Sequence, residues 1–460
     1  MSSQGSRANP RFQMASFPPE ILCEIFLACI PAIGNTEGLP AYFPYGITHV
    51  CRHWYTTALG FRKLWSFLDV EQTDENQFGD CLEFYVMEEY LERSGEHPLT
   101  FRMAYSYDTM HYQTYLECLG DYSERWQSVV LENPNYLALE YLSKFGPSEY
   151  PLLRSLVCIN CRFNQDAIGH GRLLDPIPWS QLERYQEHDV SWSNSARQWE
   201  VIAQLTNVVD LRASFFGPNE NNTPIKMPHL RFASLAVGPL AGSPDLLLDR
   251  FDFSRIEGLN LKLPENLPAA LSPVPNQLKG LKILRLCGSL DAISNGALVD
   301  ILTEIKGLPD FAVELAGVDA VHLFSALTPT DRVLVPQLRV LRVARCTPLA
   351  DGELDALLEM LRQRFGKGNG PGVDYARLKW FEFLLEALPL RYDPILDDVV
   401  PPPDVPSTMF DTLEALRTSE GWDIRANRDP RANKNGNGDD FWADEMDDEL
   451  LYRTATASRA

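Results

Sequence analysis

A recurring apolar pattern constrains the fold of this chain more than any other feature of its sequence. The pattern has the form apolar-x-x-apolar-x-apolar, and its central residues Leu211, Leu235, Leu259 and Leu284 follow at steps of 24, 24 and 25 residues. Looser or later copies are centred on Val129, Leu156, Tyr185, Leu341 and Phe381, and a faint copy lies between Phe311 and Leu315. A nearly fixed period of this kind is typical of proteins built from stacked structural repeats.

Each copy predicts a short β-strand with one buried face, because apolar residues alternate within it. About twenty further residues must turn and return before the next strand begins. Such a unit leaves an apolar side open and has to stack on its neighbours. The pattern resembles irregular leucine-rich repeats, although the asparagine that orders regular ones is mostly missing. The resemblance implies an uneven α/β solenoid over residues 67–425, and an ordinary α/β domain is the alternative.

The remaining segments either close this array or lie outside it. Residues 351–365 predict an amphipathic helix, and the segment from Met409 to Ile424 predicts one more helix and strand. Residues 1–15 and the acidic tail 426–460 are expected to be disordered, since their composition cannot build a core. The tail contains the acidic, aromatic segment Asp439–Tyr452. This segment predicts a solvated tail or, alternatively, a short helix that binds a basic groove of a partner or folds back on the array.

Two short apolar stretches stand near the beginning of the chain. In the first, two prolines favour a helix start, and an apolar stripe follows at helical spacing: Ile21, Leu22, Ile25, Phe26 and Cys29. The second follows a Pro/Gly-rich segment, 31–46, that we predict to be a loop, and it places these residues on one face: Ile47, Val50, Cys51, Trp54 and Ala58. Helices this short are marginal without tertiary packing. Periodicity alone favours a small cap over the end of the main core.

The order and spacing of these residues resemble the F-box motif, which combines a Leu-Pro-x-Glu-Ile-Leu type start with Val-Cys-Arg-x-Trp and a Leu-Trp pair. The resemblance covers residues 16–66 and implies a three-helix module that docks on the Skp-type adaptor of a cullin-based ubiquitin ligase. It implies the following adaptor-facing residues: Phe17, Pro18, Ile21, Leu22, Ile25, Phe26, Val50, Cys51 and Trp54. Phe17 replaces the usual leucine before proline, the loop is longer than the family commonly shows, and a middle helix would lie around Tyr42–Thr48.

Composition and charge exclude several classes of function. The net charge of −22 disfavours nucleic acid as the main partner, since a phosphate-binding surface needs the opposite sign. No apolar run reaches the roughly 18 residues of a membrane span, and the polar N-terminus does not resemble a signal peptide. Nine scattered cysteines indicate a reducing compartment. We therefore expect a cytoplasmic or nuclear protein that contacts neither nucleic acid nor membrane.

The residue types used in catalysis and metal binding do not form a recognisable set. Cys158 and Cys161 have the spacing of a metal knuckle but lack a second pair, which favours buried thiols. His49 and His53 lack the glutamate of a metalloprotease, which favours a solvated face, and the glycines of residues 366–372 lack the order of a phosphate-binding loop. We expect no catalytic residue, no metal and no cofactor, and an enzyme is the least supported alternative.

These expectations combine into a hypothesis: a substrate-recognition subunit of an SCF-type cullin-RING ubiquitin ligase that performs no bond chemistry itself. The N-terminal module binds the adaptor, and through it a cullin, while the array holds a client protein near the ubiquitin-transferring enzyme. The candidate client-binding residues are Arg212, Asn260, Arg285 and Arg342. Of these, Arg285 and Arg342 suit acidic or phosphorylated clients. Solvated strand positions are the alternative for these four residues. The competing function is a leucine-rich-repeat interaction scaffold outside any ubiquitin ligase.

Overall fold

The computed structural model describes the chain in segments that together carry its regular structure. These are residues 17–30, 43–71, 80–104, 112–134, 141–142, 144, 146–163, 177–188, 190–192, 195–215, 217, 224–238, 250–263, 276–288, 295–314, 319–329, 333–345, 349–366, 375–385, 392–393, 398–399 and 407–428. The chain divides into two compact units, residues 1–178 and 179–460. Both units combine α-helices with parallel β-strands, so the predicted α/β class is confirmed at this level.

The first unit begins with a group of short helices and continues into β-structure. Its helices are α1 (Pro19–Ala28), α2 (Phe43–Thr48), α3 (Arg52–Gly60), α4 (Asp80–Ser94) and α5 (Tyr112–Gly120), and a 3₁₀ turn, Arg62–Ser66, follows α3. Its strands are β1 (Phe67–Glu71), β2 (Leu99–Ala104), β3 (Trp126–Glu132), β4 (Ser155–Ile159) and the short β5 (Arg162–Phe163).

The second unit contains most of the strands. They are β6 (Arg184–His188), β7 (Ser191–Trp192), β8 (Asp210–Phe215), β9 (Phe232–Val237), β10 (Gly258–Leu263), β11 (Ile283–Gly288), β12 (Asp310–Glu314), β13 (Val340–Arg345), β14 (Trp380–Leu385), β15 (Tyr392–Asp393), β16 (Asp398–Val399) and β17 (Ile424–Arg428). Its helices are α6 (Ser195–Gln204), α7 (Asn295–Glu304), α8 (Ala320–Leu327), α9 (Asp351–Phe365) and α10 (Ser407–Glu420).

The strands form parallel ladders in which each strand pairs with the next one along the chain. In the first unit, β1 to β4 follow this order, and in the second unit β6, β8 to β14 and β17 follow it. Buried residues stand in register from strand to strand of the second unit: Leu211, Ala233, Leu259, Leu284, Phe311, Leu341, Phe381 and Ile424. A continuous apolar row of this kind holds the ladder together, because each strand covers the open side of its neighbour.

A strand is present at every copy of the predicted pattern, including the faint one at Phe311. The register differs at one copy, since Ala233 and not Leu235 pairs with Leu211 and Leu259. From Leu211 to Ala233, Leu259 and Leu284 the steps are therefore 22, 26 and 25 residues. A shift of two residues leaves the same face buried, which is why the strand itself was found.

The elements at the two ends of the chain correct several boundaries. The predicted helix 351–365 and the closing helix and strand are confirmed as α9, α10 and β17. The tail does not begin at residue 426, because residues 426–428 complete β17, and residues 429–460, like 1–16, lie outside the described part. The predicted loop 31–46 ends earlier, since α2 begins at Phe43, and α2 matches the middle helix that the F-box resemblance implies. Among the described residues no helix is long and apolar enough to cross a membrane.

Candidate functional site

Helix α1 has apolar side chains on two flanks, and the fold uses one of them. Pro18 precedes the helix, and a second proline occupies its first turn, where backbone donors lack helical partners in any case. Leu22 and Phe26, one turn apart, are both 0% exposed. Ile21 and Ile25 on the neighbouring flank are 47% and 36% exposed. The inward flank therefore belongs to the core, and the other flank is open to solvent.

An aromatic contact and a polar contact join α3 to α1. The ring centroids of Phe26 and Trp54 lie 5.1 Å apart, in edge-to-face geometry. The Nε2 atom of His53 lies 2.8 Å from the carbonyl oxygen of Phe17. His53 is consequently half-buried and does not occupy the solvated face expected for it, whereas His49 is exposed. These contacts fix the beginning of α3 against α1.

The inner side of the helical group packs on α4 through aromatic rings. The ring centroid of Trp65 lies 5.4 Å from that of Tyr45 and 5.2 Å from that of Tyr90. The guanidinium of Arg93 lies 4.3 Å from the Trp65 centroid, and the indole Nε1 of Trp65 donates to the carbonyl of Ala58 at 2.8 Å. Each aromatic pair contributes ~0.5–1.5 kcal/mol beyond the area that it buries. The apolar inner side of the helical group is therefore already covered by packing within this unit.

The hydroxyl of the half-buried Tyr45 adds a polar connection to the same anchor. The hydroxyl of Tyr45 donates to the carboxylate of Glu89 on α4, and Glu89 also pairs with Arg93. Burial, followed by this hydrogen bond, raises the pKa of Tyr45 to about 12. The phenol therefore remains a donor at neutral pH, and the connection between α2 and α4 is stable over the physiological range.

Among the described residues of 17–66, three large aliphatic side chains are exposed: Ile21, Ile25 and Val50, called the aliphatic set below. Val50 stands immediately before α3 and is 50% exposed. The exposed carboxylates Glu20 and Glu24 each directly precede one of the set's two members on α1. Large apolar side chains concentrated on one small element group, with polar neighbours, are typical of a binding surface.

The structure corrects two of the adaptor-facing residues implied by the F-box resemblance. Leu22 and Phe26 are core residues of the helical group and offer no surface to a partner. Pro18, together with the aliphatic set, is exposed. The residues with intermediate burial are Phe17, Cys51 and Trp54. Four of the nine positions are thus exposed, and they carry the site.

The candidate client-binding residues prove to be mostly internal. Asn260, Arg285 and Arg342 are 7%, 1% and 2% exposed. Arg212 has intermediate burial. Neither predicted interpretation, a client contact or a solvated strand position, holds for the three buried residues. Asn260 donates instead to the hydroxyl of Ser234 on the neighbouring strand, at 3.2 Å.

Arg342 shows why these positions are buried although they are charged. Its Nη1 donates to both carboxylate oxygens of Asp310, at 2.9 and 3.1 Å. Its Nε lies 3.6 Å from a carboxylate oxygen of Glu382 on the next strand. The guanidinium also lies 4.6 Å from the ring centroid of Trp380. The ladder therefore brings these groups together from three successive strands, and the cation is compensated within the chain.

The first unit contains the same arrangement, which the sequence did not predict. Arg102 on β2 bonds Asp69 on β1 at 3.0 Å and Glu132 on β3 at 2.9 and 2.6 Å. Burial lowers the pKa of Arg102, but the two carboxylates outweigh it and the net pKa is raised. These charges stabilise the ladder and are not available to a ligand.

A buried glutamate occupies an inward position of the second unit. Glu187 accepts hydrogen bonds from the Tyr185 hydroxyl at 2.7 Å, Trp192 Nε1 at 3.0 Å, Gln198 Nε2 at 2.9 Å and the Ser214 amide at 3.3 Å. Burial outweighs these bonds and raises the pKa of Glu187 to about 7. The sequence carried a signal for this group, because a glutamate stands where the repeat pattern requires an apolar residue.

No group of three or more His, Cys, Asp or Glu side chains among the described residues could hold a metal ion. Cys158 and Cys161 are buried free thiols. The thiol of Cys161 lies 3.7 Å from the carbonyl oxygen of Leu131. Of the glycine-rich loop only Gly366 is described, at the end of α9.

Comparison with known proteins adds no family to this description. No protein-family model matches the chain. No significant match was found among curated proteins.

Proposed function

We propose that the protein is the substrate-recognition subunit of an SCF-type cullin-RING ubiquitin ligase. The helices α1 to α3 serve as the F-box module, and the aliphatic set binds a Skp-type adaptor that connects to a cullin. One observation carries this proposal: Ile21, Ile25 and Val50 are exposed although the inner side of their helical group is fully packed. The F-box resemblance of residues 16–66 supplies the identity of the partner.

The exposed set favours an interaction module over a cap. A cap exists to cover the core, so its large apolar side chains are expected to point inward. Here Leu22, Phe26 and Trp65 already perform that role, since all are 0% exposed. Ile21 and Ile25 add nothing to the core, and leaving two isoleucines in water brings no gain in stability. A partner that covers them removes this apolar surface from water.

The adaptor contact is expected to be mainly hydrophobic. Full burial of an aliphatic side chain contributes ~1.5–3 kcal/mol, and these side chains are already about half covered, so each can add roughly half of that value. Leu22 and Phe26 contribute to this contact only indirectly, because their burial in the core holds α1 in place. Glu20 and Glu24 are exposed beside the set and favour a partner surface with basic residues at its rim.

The ladder of parallel strands supports the second part of the proposal, that a repeat array binds the client protein. Parallel strands that pair in chain order, with steps of 22 to 43 residues between registered positions, fit an irregular leucine-rich-repeat solenoid. The array binds a client protein, and ubiquitin transfer follows from proximity rather than from chemistry on this chain. No client residue is assigned, because Asn260, Arg285 and Arg342 are internal. The cytoplasm or the nucleus is the proposed location.

Co-purification of the full chain with a Skp-type adaptor tests the proposal. The variant Ile21→Asp/Ile25→Asp should lose adaptor capture at least tenfold, because both carboxylates would enter an apolar contact. Val321→Asp is the matched control, since Val321 is 40% exposed on α8 in the other unit. Circular dichroism and melting should be unchanged in both variants.

Two results separate the alternatives. Equal capture of the α1 variant, the control and the original chain means that the aliphatic set is not the adaptor surface. Failure of the original chain to bind any Skp-type adaptor overturns the ligase assignment. The protein would then be an interaction scaffold whose N-terminal helices act as a cap, which the aromatic anchor on α4 favours.

A further inference from the structure

We propose that the acidic C-terminal segment Asp439–Glu449 of this chain binds a basic surface at the end of the second unit's ladder. The surface, called the cationic corner below, consists of Arg339, Lys379 and Arg425. The inference does not depend on the adaptor contact, because the two surfaces lie in different units. It assigns the corner to an occupant within the same chain.

Strand pairing places Arg339 and Lys379 side by side, and Arg425 stands on the next strand of the ladder. The amide of Lys379 donates to the carbonyl of Arg339 at 2.7 Å, so the two residues occupy adjacent rungs at one edge of the ladder. Adjacent rungs are ~4.8 Å apart. The guanidinium of Arg425, on the last strand, lies 4.9 Å from the ring centroid of Trp380, the residue after Lys379. All three basic side chains are exposed.

The carboxylates near the corner leave its charge largely uncompensated. Glu382 stands in register between Arg342 and Arg425. Its carboxylate lies 3.6 Å from Arg342, with which Asp310 also pairs. Asp423, beside Trp380 on the last strand, is an exposed carboxylate of this region. Within the described part of the chain no carboxylate pairs with Arg339 or Lys379. Three exposed cations against one exposed carboxylate form an unusual surface on a protein whose net charge is −22.

The acidic segment has the complementary charge. Residues 439–449 contain seven Asp or Glu residues and no Lys, Arg or His. They also contain Phe441 and Trp442, whose rings suit the arginine and tryptophan side chains at the corner. Carboxylates accept charge-assisted hydrogen bonds from arginine and lysine, and an arginine can donate two parallel bonds to one carboxylate.

The chain between the last strand and the acidic segment is long enough for the segment to reach the cationic corner. β17 ends at Arg428, and the eleven steps from there to Asp439 span at most ~38 Å. The return path is shorter, because β17 measures about 13 Å and two rungs add about 10 Å. A short tether of this kind gives the segment an effective concentration in the millimolar range. Modest surface ion pairs are then sufficient for occupancy.

Zero-length carbodiimide cross-linking of the full chain, followed by peptide mass spectrometry, tests the proposal. The reagent joins a lysine amine to a carboxylate in direct contact, so a bond between Lys379 and residues 439–449 is expected. The bond between Lys282 and Glu257 is the positive control, since these groups lie 2.8 Å apart. The exposed lysines Lys226 and Lys306 are the negative controls.

A pair of variants then tests the corner itself. Arg339→Glu/Arg425→Glu keeps Lys379 but reverses its neighbours, and it should reduce the Lys379 cross-link at least tenfold. Lys226→Glu/Lys306→Glu makes the same change in charge elsewhere and should leave the cross-link unchanged. Salt at 0.5 M should weaken the cross-link in the original chain, because surface pairs are screened.

The remaining outcomes overturn the proposal. They are a Lys282–Glu257 bond without a Lys379 bond to the segment, and equal bonding of the segment to Lys226, Lys306 and Lys379. A mixture of ¹⁴N- and ¹⁵N-labelled protein identifies the chain that supplies the segment. Cross-links found only between differently labelled chains would assign the corner to a second copy and refute the intramolecular contact.

Discussion

Replacing Glu187 by glutamine is expected to change how the stability of the protein depends on pH. The carboxyl has an ordinary pKa of 4.5, and burial raises it to about 7 in the folded state. A raised pKa means that the fold favours the protonated form. The stabilisation is therefore fully present below pH 4.5 and is lost as the pH rises through 7. Glutamine cannot ionise, so the variant escapes this loss.

The magnitude follows from the difference between the two pKa values. A rise from 4.5 to about 7 corresponds to about 3 kcal/mol over the whole range. The protein is least soluble near its isoelectric point of about 4.8, so the useful window is pH 6 to 8.5. About one pH unit of that window lies below 7, which leaves about 1.4 kcal/mol to be observed.

The neighbouring histidine hides this effect in the original chain. Burial, and then the charge of Arg212, lower the pKa of His188 to about 3. Its contribution has the opposite sign, because it is present above the ordinary pKa of 6.5 and is lost as the pH falls. The raised pKa of Asp210, due to burial, acts in the same direction as that of Glu187. The contributions of His188 and Asp210 to the pH dependence are the same in the Glu187→Gln variant and the original chain, so they cancel in the comparison.

Urea unfolding at pH 6 and pH 8.5, followed by tryptophan fluorescence, provides the measurement. Relative to the original chain, Glu187→Gln should gain about 1.4 kcal/mol of unfolding free energy between the two pH values. Glu304→Gln, at an exposed position of α7, serves as the control and should show no such gain. A difference that stays the same at both pH values would show that Glu187 is ionised throughout and that the buried-acid interpretation is wrong.

Three further substitutions test the packing. Leu22→Ala should lower the unfolding free energy by ~2–5 kcal/mol in urea, because it leaves a cavity, whereas Ile21→Ala at the surface should cost under ~1 kcal/mol; equal losses would place both in the core. Arg364→Lys should cost ~1–3 kcal/mol in thermal melts, because one ammonium cannot replace the bonds of Arg364 to three backbone carbonyls. Arg342→Met should lower the unfolding free energy by ~3–5 kcal/mol, because it leaves buried carboxylates without their cation. Adding Asp310→Asn should recover part of this loss in a double-mutant cycle, and purely additive losses would refute the ion pair.

The strands of the ladder could be predicted because their pattern records burial directly. Even the error at Leu235 was small, since Ala233 is apolar and stands two residues earlier on the same face. β2 was missed although Leu99, Phe101 and Met103 alternate. The residue three places before Phe101 is Pro98, so the full pattern is absent there. The copy at Tyr185 was found although Glu187 breaks its last position, whereas β2 lacks the apolar residue with which the pattern begins.

The candidate site could be predicted as a region but not as a surface. The apolar stripe of α1 spans neighbouring flanks, and periodicity cannot tell which flank faces the core. Leu22 is buried and the adjacent Ile21 is 47% exposed, and that difference depends on tertiary packing. The prediction that Arg342 binds a client was wrong for a related reason. Its partner Asp310 is 32 residues away, and only the register of the strands brings the two charges together.

Strand pairing in chain order also determines how this protein can fold during its synthesis. Every registered contact of the second unit, from Leu211 to Ile424, joins residues at most 43 positions apart. A newly made strand therefore finds its partner in the polypeptide that left the ribosome just before it. Folding can advance from the N-terminal end as translation proceeds, and no strand has to wait for a distant segment that has not yet been made.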